Sequence, residues 1–214
     1  MRAVDAVRVV DAARAGLVTL CNEAAIPESH GCTHAENVLA HADGALACAD
    51  LPPTRALAVR LAALLHDADD RKYFPDSSAY PNARRIMADA GAEAGVIEEA
   101  VKMIGWVSCS ANGNSCPEEA NQEPEWLWPR WADRLEAVGS VGIVRCYQYN
   151  SEKGDPLSSP ATPRPATEDE VFALAMPERF AKYQASSGGS VSMMDHYYGE
   201  LHYTTAPALH PTLT

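Results

Sequence analysis

The chain has 214 residues, of which 47% are hydrophobic and 21% charged, and this composition suits one globular domain with a sizeable core. Its formal charge is −12, and the sequence contains no long run of basic residues. Binding to a nucleic-acid backbone needs clustered lysine and arginine side chains. The composition therefore argues against a nucleic-acid polymer as a partner and favours a small substrate.

The first twenty residues predict an amphipathic helix rather than a signal peptide or a membrane span. Charged residues recur every few positions from Arg2 to Arg14, which interrupts any continuous apolar stretch. The six cysteines are dispersed and form no C-x-x-C pair, as is typical of proteins in a reducing compartment. We therefore expect a cytoplasmic protein that does not contact a membrane.

Periodicity and helix-boundary residues predict an all-α protein. A first helix is expected over residues 3–25, and a second runs from His30 to Ala49 with Ser29 as its N-cap. The third helix begins near Pro53, and its leucines recur at positions i, i+4, i+7 and i+8 from Leu57. Because the residues between those leucines are mainly alanine and valine, this helix is predicted to be buried on most sides.

The second half of the chain predicts further helices separated by polar segments. One or two helices are expected within residues 82–108, an exposed loop over 110–124, and another helix over 128–149. The proline-rich residues 150–170 predict a non-helical segment, followed by closing helices over 168–184 and 190–203. We expect a single domain over residues 1–204, loop insertions at about 108–128 and 150–167, and a flexible tail over 205–214.

The third helix ends in the adjacent pair His66 and Asp67. Neighbouring residues on a helix point about 100° apart, so both side chains reach one ion only if it lies near the helix end. An imidazole and a carboxylate suit Mn, Fe, Co, Ni or Zn, and the carboxylate also suits Mg. A solvated helix end is the alternative explanation for the pair taken alone.

Two other parts of the sequence contain possible partners for this pair. His30, His34 and His41 are spaced i, i+4 and i+11, which places them on one face of the second helix. Asp133 has mainly apolar neighbours, and a buried carboxylate needs a partner. The alternatives are a surface stripe of solvated histidines and an ion pair between Asp133 and Arg130.

A histidine, a His-Asp pair and a distant aspartate, in this order, resemble the HD superfamily of metal-dependent phosphohydrolases. The resemblance covers most of residues 28–150 and is greatest to a bacterial branch of small HD proteins that includes a nucleotide pyrophosphohydrolase. It implies an HD-domain helical bundle with extra C-terminal helices. The similar segments are "SHGCTHAENVLAHA", "LAALLHDADDRKY", "WADRLEAVGSVGIVRCY" and, for the closing helix of that branch, "SMMDHYYGEL".

The resemblance implies a role for each matching residue. The metal ligands would be His34, His66, Asp67 and Asp133, with one divalent ion, Mn or Mg being favoured over Fe, Co, Ni or Zn. Asp70 would orient or deprotonate the attacking water. Related enzymes carry an acidic residue at this position, and the aspartate of this chain is shorter than the glutamate of that pattern. Lys72 would act with it as a catalytic cation. Residues expected to line the substrate pocket are His30, Arg134, Arg145, Tyr149 and His196.

The activity that the resemblance implies is metal-dependent cleavage of phosphate ester or anhydride bonds in a nucleotide or similar small phosphorylated metabolite. One alternative is a nucleoside monophosphate phosphatase of specialised nucleoside metabolism, rather than a triphosphate pyrophosphohydrolase. Another is a non-catalytic nucleotide-binding protein. HD-like oxygenases with two irons need further histidines, and none occurs between His66 and His196. A homo-oligomer is compatible with all of these functions.

Overall fold

The computed structural model describes residues 3–186 and 189–201. These residues form helices and loops and contain no β-strand, which confirms the predicted all-α class. Within them, no helix is both long enough and apolar enough to cross a membrane. The tail predicted over residues 205–214 lies outside the described residues.

The α-helices are numbered in chain order, and short turns of other helical types lie between some of them. The α-helices are α1 (Ala3–Glu23), α2 (Cys32–Leu46), α3 (Pro53–Leu65), α4 (Pro81–Asp89), α5 (Ala94–Val107), α6 (Cys109–Asn112), α7 (Glu118–Gln122), α8 (Trp128–Leu135), α9 (Gly139–Lys153), α10 (Glu168–Phe172), α11 (Pro177–Ala185) and α12 (Met193–His196). The other helical turns are the 3-10 turns Glu28–His30 and Pro124–Leu127 and the π-helical turn Tyr197–Leu201.

The chain divides into two compact units. The first comprises residues 1–107 and 116–135, and the second comprises residues 108–115 together with the chain from residue 136 onward. The insertion expected at 108–128 is therefore shared between the two units. The single domain over residues 1–204 stays a prediction.

Helix α3 is the centre of the first unit, where it packs against α1, α2, α5 and α8. Its side chains from Leu57 to Leu65 are buried almost completely, except for Arg60. Burying a leucine side chain stabilises the fold by about 1.5–3 kcal/mol, so this helix contributes strongly to the core. The predicted burial of α3 is confirmed, and it holds the end of the helix at a fixed place.

The beginning of α2 differs from the prediction. Ser29 is not its N-cap, because residues 28–30 form a separate 3-10 turn and Gly31, with an extended backbone, precedes the first helical residue. The Ser29 hydroxyl lies 3.0 Å from Nδ1 of His30. His30 therefore precedes α2 rather than sharing a helical face with His34 and His41.

The segment expected to be an exposed loop over residues 110–124 contains helical turns, including α6 and α7. In the first unit, the residues that follow α7 are anchored by Trp126, which is buried. The Arg55 guanidinium lies 4.2 Å from the centroid of the Trp126 ring and also contacts the carboxylates of Glu99 and Glu123. Trp126 lies just beyond the predicted loop, and its burial was not predicted from the sequence.

In the second unit, α9 ends at Gly154, whose positive φ of 75° suits the residue after a helix. The non-helical segment predicted over residues 150–170 is shorter in the structure, because α9 continues to Lys153 and α10 begins at Glu168. The helix expected over 168–184 is instead divided into α10 and α11, and Pro177 begins the second of them. Proline lacks the backbone N–H that a continuous helix would need at that position.

Candidate metal centre

The four side chains predicted as metal ligands converge in the first unit. His34 lies on α2, His66 caps the C-terminus of α3, Asp67 follows it, and Asp133 lies on α8. The two Nε2 atoms are 3.1 Å apart, and His34 Nε2 is 3.2 Å from Asp133 Oδ1. Asp67 Oδ2 lies 3.3 Å from His66 Nε2 and 3.9 Å from His34 Nε2. Residues separated by up to about a hundred positions are thus brought to one point.

These separations fit ligation of a single ion. Ligand atoms about 2.1 Å from a metal lie roughly 3.0–3.4 Å apart at tetrahedral or right angles, and roughly 4.2 Å apart when opposite each other. The separations of each histidine Nε2 from the other and from the two carboxylates are 3.1–3.9 Å, including 3.7 Å between His66 Nε2 and Asp133 Oδ1, and fall within this span. Two imidazoles with two carboxylates suit a first-row divalent metal.

The hydrogen bonding of His66 assigns its tautomer. Its Nδ1 lies 2.8 Å from the backbone oxygen of Ala63, so this nitrogen carries the proton and donates it. When the ring is neutral, its Nε2 lone pair is therefore directed at His34 Nε2 and the two carboxylates. A backbone carbonyl that fixes a histidine in this way is characteristic of metal-ligating histidines.

Burial differs between the histidines and the aspartates of the candidate centre. The side chains of His34 and His66 are 3% and 2% exposed, whereas those of Asp67 and Asp133 are 25% and 26% exposed. The histidines therefore form the floor of the centre, and the carboxylates face its open side. An ion held here would be accessible to a small ligand from the carboxylate side.

The electrostatics of the centre favour positive charge. Burial lowers the pKa of His66, but the adjacent Asp67 and then Asp133 raise it, and the result is a pKa of about 9. Burial likewise opposes ionisation of Asp67, yet His66 holds the pKa of that carboxyl well below its usual range. Two carboxylates in a buried site thus stabilise a cation between them.

Asp69 has a structural role rather than the solvated loop position that its sequence context suggests. It is buried, and its carboxylate accepts hydrogen bonds from the backbone amides of Asn82 at 3.0 Å and Ala83 at 2.8 Å. These amides belong to the first turn of α4, where N–H groups lack partners within the helix. Asp69 therefore ties the end of α3 to the start of α4.

Asp70 and Lys72 lie beside the centre, next to His30. Asp70 Oδ1 accepts a hydrogen bond from the Lys72 backbone amide at 2.9 Å, and its Oδ2 is 3.5 Å from the Lys72 ammonium. His30, Asp67 and Asp70 each offer one possible metal-ligating atom, and these three atoms lie within 4.8 Å of one another. Burial and then the charge of Asp67 raise the pKa of Asp70 above its ordinary value, although Lys72 opposes this.

Two residues near His30 were not identified from the sequence. The hydroxyl groups of Ser29 and Tyr73 lie 3.0 and 3.3 Å from Nδ1 of His30. Neither has a sequence signal of its own, because serine and tyrosine are common in loops and turns. The "KY" that follows the acidic run was the available clue for Tyr73.

The remaining first-unit residues have different surroundings. Arg134 is buried on α8, with its guanidinium 5.0 Å from the centroid of the Trp131 ring. His41 is half-buried on α2 and belongs to neither group of metal-ligating side chains that the described residues form. Arg130 donates a hydrogen bond from Nε to the backbone oxygen of Trp106. A contact of Arg134 with substrate stays a prediction.

The other three predicted pocket residues lie in the second unit. Arg145 donates a hydrogen bond to the backbone oxygen of Glu136 at 3.2 Å. His196 is buried, its ring lies edge-on to that of Tyr149, and its Nδ1 is 3.2 Å from Asn150 Nδ2. Tyr149 and His196 therefore belong to a packed aromatic cluster within this unit, and a substrate contact for these residues stays a prediction.

The fold and the sequence each have a known counterpart. The fold resembles a crystal structure of a protein from Lactobacillus plantarum, with a TM-score of 0.61 and 20% identity, covering 98% of this chain and 89% of that one. No protein-family model matches the chain. In sequence, it is 36% identical over 191 residues to the uncharacterized protein L803 of Acanthamoeba polyphaga mimivirus, covering 83% of this chain and 76% of that protein. The chain therefore belongs to the same family as this mimivirus protein.

Proposed function

We propose that this chain is a metal-dependent phosphohydrolase that cleaves a phosphate ester or anhydride bond in a nucleotide or a similarly small phosphorylated metabolite. The observation that carries the proposal is the grouping of donor atoms from His34, His66 and Asp133 within 4.8 Å of one another, with an Asp67 oxygen 3.3 Å from His66 Nε2. The order of these ligands along the chain, which resembles that of the HD superfamily, supports the same activity.

The exposure of the ligands favours a catalytic rather than a purely structural centre. A structural metal site is closed on all sides by protein ligands, whereas a catalytic site keeps positions for water and substrate. Here Asp67 and Asp133 are each about one quarter exposed, while the two histidines are buried. A six-coordinate ion such as Mn or Mg would keep open positions on the carboxylate side.

The side chains beside the centre are of the kinds that phosphoryl transfer uses. When bound, a divalent ion supplies Lewis acidity and positive charge at the phosphoryl oxygens. Asp70 is placed to accept a proton from the attacking water, next to the ligand Asp67. The Lys72 ammonium offers a compact positive charge to a phosphate oxygen.

The net charge of the chain favours a small substrate over a polymeric one. The chain carries a net charge of −12, which disfavours a long polyanion but tolerates a small one held at a local cationic site. A nucleotide or another small phosphorylated metabolite meets this condition.

The test is release of phosphate or pyrophosphate from a panel of nucleoside mono- and triphosphates, with Mn, with Mg and with EDTA. We expect release that depends on the divalent ion, and the product will distinguish a monophosphatase from a pyrophosphohydrolase. Asp67→Ala is expected to lower the rate at least about a hundredfold, since it removes a ligand. Arg71→Ala, at an exposed neighbouring position, is the matched control and is expected to retain activity.

Two results would contradict the proposal. One is the absence of metal-dependent release from every compound in the panel. The other is full activity in the Asp67→Ala protein, which would move the chemistry away from this centre.

A further inference from the structure

We propose that the Lys72 ammonium occupies the position beside the metal centre that a second divalent ion would otherwise take, so that the chain holds one ion rather than two. This inference rests on the proposed function, because it assumes that the first centre binds a metal. It concerns the His30–Asp67–Asp70 group, which is distinct from the four ligands of that centre except for Asp67.

The group has the composition and spacing of a second metal site. One donor atom each from His30, Asp67 and Asp70 lie within 4.8 Å of one another, so all three are able to contact a single ion. Asp67 also belongs to the first centre, where its Oδ2 faces His66. In two-metal hydrolases the ions lie about 3.5–4 Å apart, close enough for one carboxylate to contact both.

Lys72 already places a cation in this group. Its Nζ lies 3.1 Å from Nε2 of His30 and 3.5 Å from Oδ2 of Asp70. Since an ammonium group only donates hydrogen bonds, Nε2 of His30 must accept, and this uses the lone pair that a metal would need. The Lys72 backbone amide, bonded to Asp70 Oδ1 at 2.9 Å, holds the lysine in the turn after α3.

The imidazole of His30 is oriented as a ligand would be. With Nε2 accepting from Lys72, Nδ1 carries the proton and is directed at the hydroxyls of Ser29 and Tyr73, at 3.0 and 3.3 Å. Metal-ligating histidines usually make such a bond through their other ring nitrogen. The ring therefore directs its Nε2 lone pair at Lys72, as it would at a metal ion in the same position.

Replacing an ion by an ammonium changes what the group contributes. Lys72 supplies one positive charge instead of two, and it has no open coordination position for water. It neutralises part of the charge of Asp70, and the Lys72 side chain as a whole remains 37% exposed. The centre is then mononuclear because of a residue outside its ligand set.

The experiment counts bound Mn per chain by mass spectrometry of the metal after equilibrium dialysis. We expect one Mn in the wild-type protein and two in Lys72→Ala, with spin coupling between them visible by electron paramagnetic resonance. Lys72→Met, which keeps the aliphatic stem, is a second variant in case the first does not fold, and is also expected to bind two. Arg71→Ala, which removes a neighbouring positive charge, and the double variant Lys72→Ala with Asp70→Ala are expected to bind one.

The outcomes separate this inference from the proposed function. One Mn in folded Lys72→Ala and Lys72→Met proteins would overturn the inference and leave the first centre intact. Two Mn in the wild-type protein would also overturn the inference. Counts of one and two without any phosphate release would support the inference and contradict the phosphohydrolase proposal. No Mn in the wild type would overturn both.

Discussion

At the residue scale, the carboxylates that follow α3 have three different environments within four positions. Asp67 faces the two histidines, Asp69 binds the backbone amides of α4, and Asp70 contacts Lys72. The α-helix ends at Leu65 and the following residues form turns, so these side chains point in directions that helical periodicity does not describe. Chemically identical groups thus acquire separate roles from the path of one short turn.

Cys21 shows at the same scale how burial controls reactivity. It lies in the core on α1, and burial together with the neighbouring Cys32 raises the pKa of its thiol to about 12. Because the thiolate is the nucleophile, we expect iodoacetamide at pH 8.5 to modify Cys21 at least about tenfold more slowly than the exposed Cys48. Peptide mass spectrometry of the native protein measures both rates.

The same shift predicts the pH dependence of stability. The unfolded chain loses the Cys21 proton near the ordinary pKa of 9.0, whereas the folded chain keeps it to about 12. The folded state therefore binds more protons in this window, and the contribution of this thiol to the free energy of unfolding is lost as pH rises from about 9 towards 12. Equal modification rates for Cys21 and Cys48 in the native protein, and not only in denaturant, would contradict this account.

At the element scale, the candidate metal centre depends on α3 more than on any other helix. His34 and Asp133 lie on α2 and α8, which both pack against α3. His66 and Asp67 directly follow the last residue of α3. Close-packed side chains leave these helices little freedom to shift. The convergence of distant residues on one point is therefore a consequence of how the helices pack.

The connection from α3 to α4 depends on Asp69. Asp69→Ala removes the acceptor for two amides in the first turn of α4, one of them buried. We expect the free energy of unfolding in urea to fall by about 1–2 kcal/mol, the usual cost of losing a helix cap. Binding of Mn should persist, because Asp69 is not a ligand.

Asp76→Ala is the matched control for this substitution, since Asp76 is an exposed aspartate in the same connection. Its free energy of unfolding should stay within about 0.5 kcal/mol of the wild type. Unchanged stability of Asp69→Ala, or the loss of Mn binding in that protein, would show that this carboxylate has another role.

At the scale of the whole molecule, the proposed ion should be linked to folding. An ion that binds only the folded chain stabilises it, by about 2.7 kcal/mol at a hundred times its dissociation constant. We expect Mn to raise Tm in a concentration-dependent way, EDTA to reverse the increase, and Asp67→Ala to abolish it. Differential scanning calorimetry measures the shift, with Arg71→Ala as the control; identical Tm values in Mn and EDTA would be inconsistent with a bound ion.

Part of this fold was predictable because helices are specified by local patterns. The recurrence of leucines from Leu57 predicted both the helix and its burial, whereas the helix predicted over residues 128–149 is divided into α8 and α9, and α9 continues to Lys153. The burial of Trp126 was not predictable, since it follows a polar stretch in which apolar residues do not recur at helical spacing. Its place depends on Arg55, about seventy residues away.

The sequence by itself determined the all-α class and the identity and order of the four candidate ligands. Only the tertiary structure decided that Asp69 caps a helix, that His30 lies outside α2, and that Lys72 is paired with both His30 and Asp70. The physical reason is that hydrophobic periodicity is a property of neighbouring residues. Which side chains meet in a turn is instead set by the packing of segments that are distant in the chain.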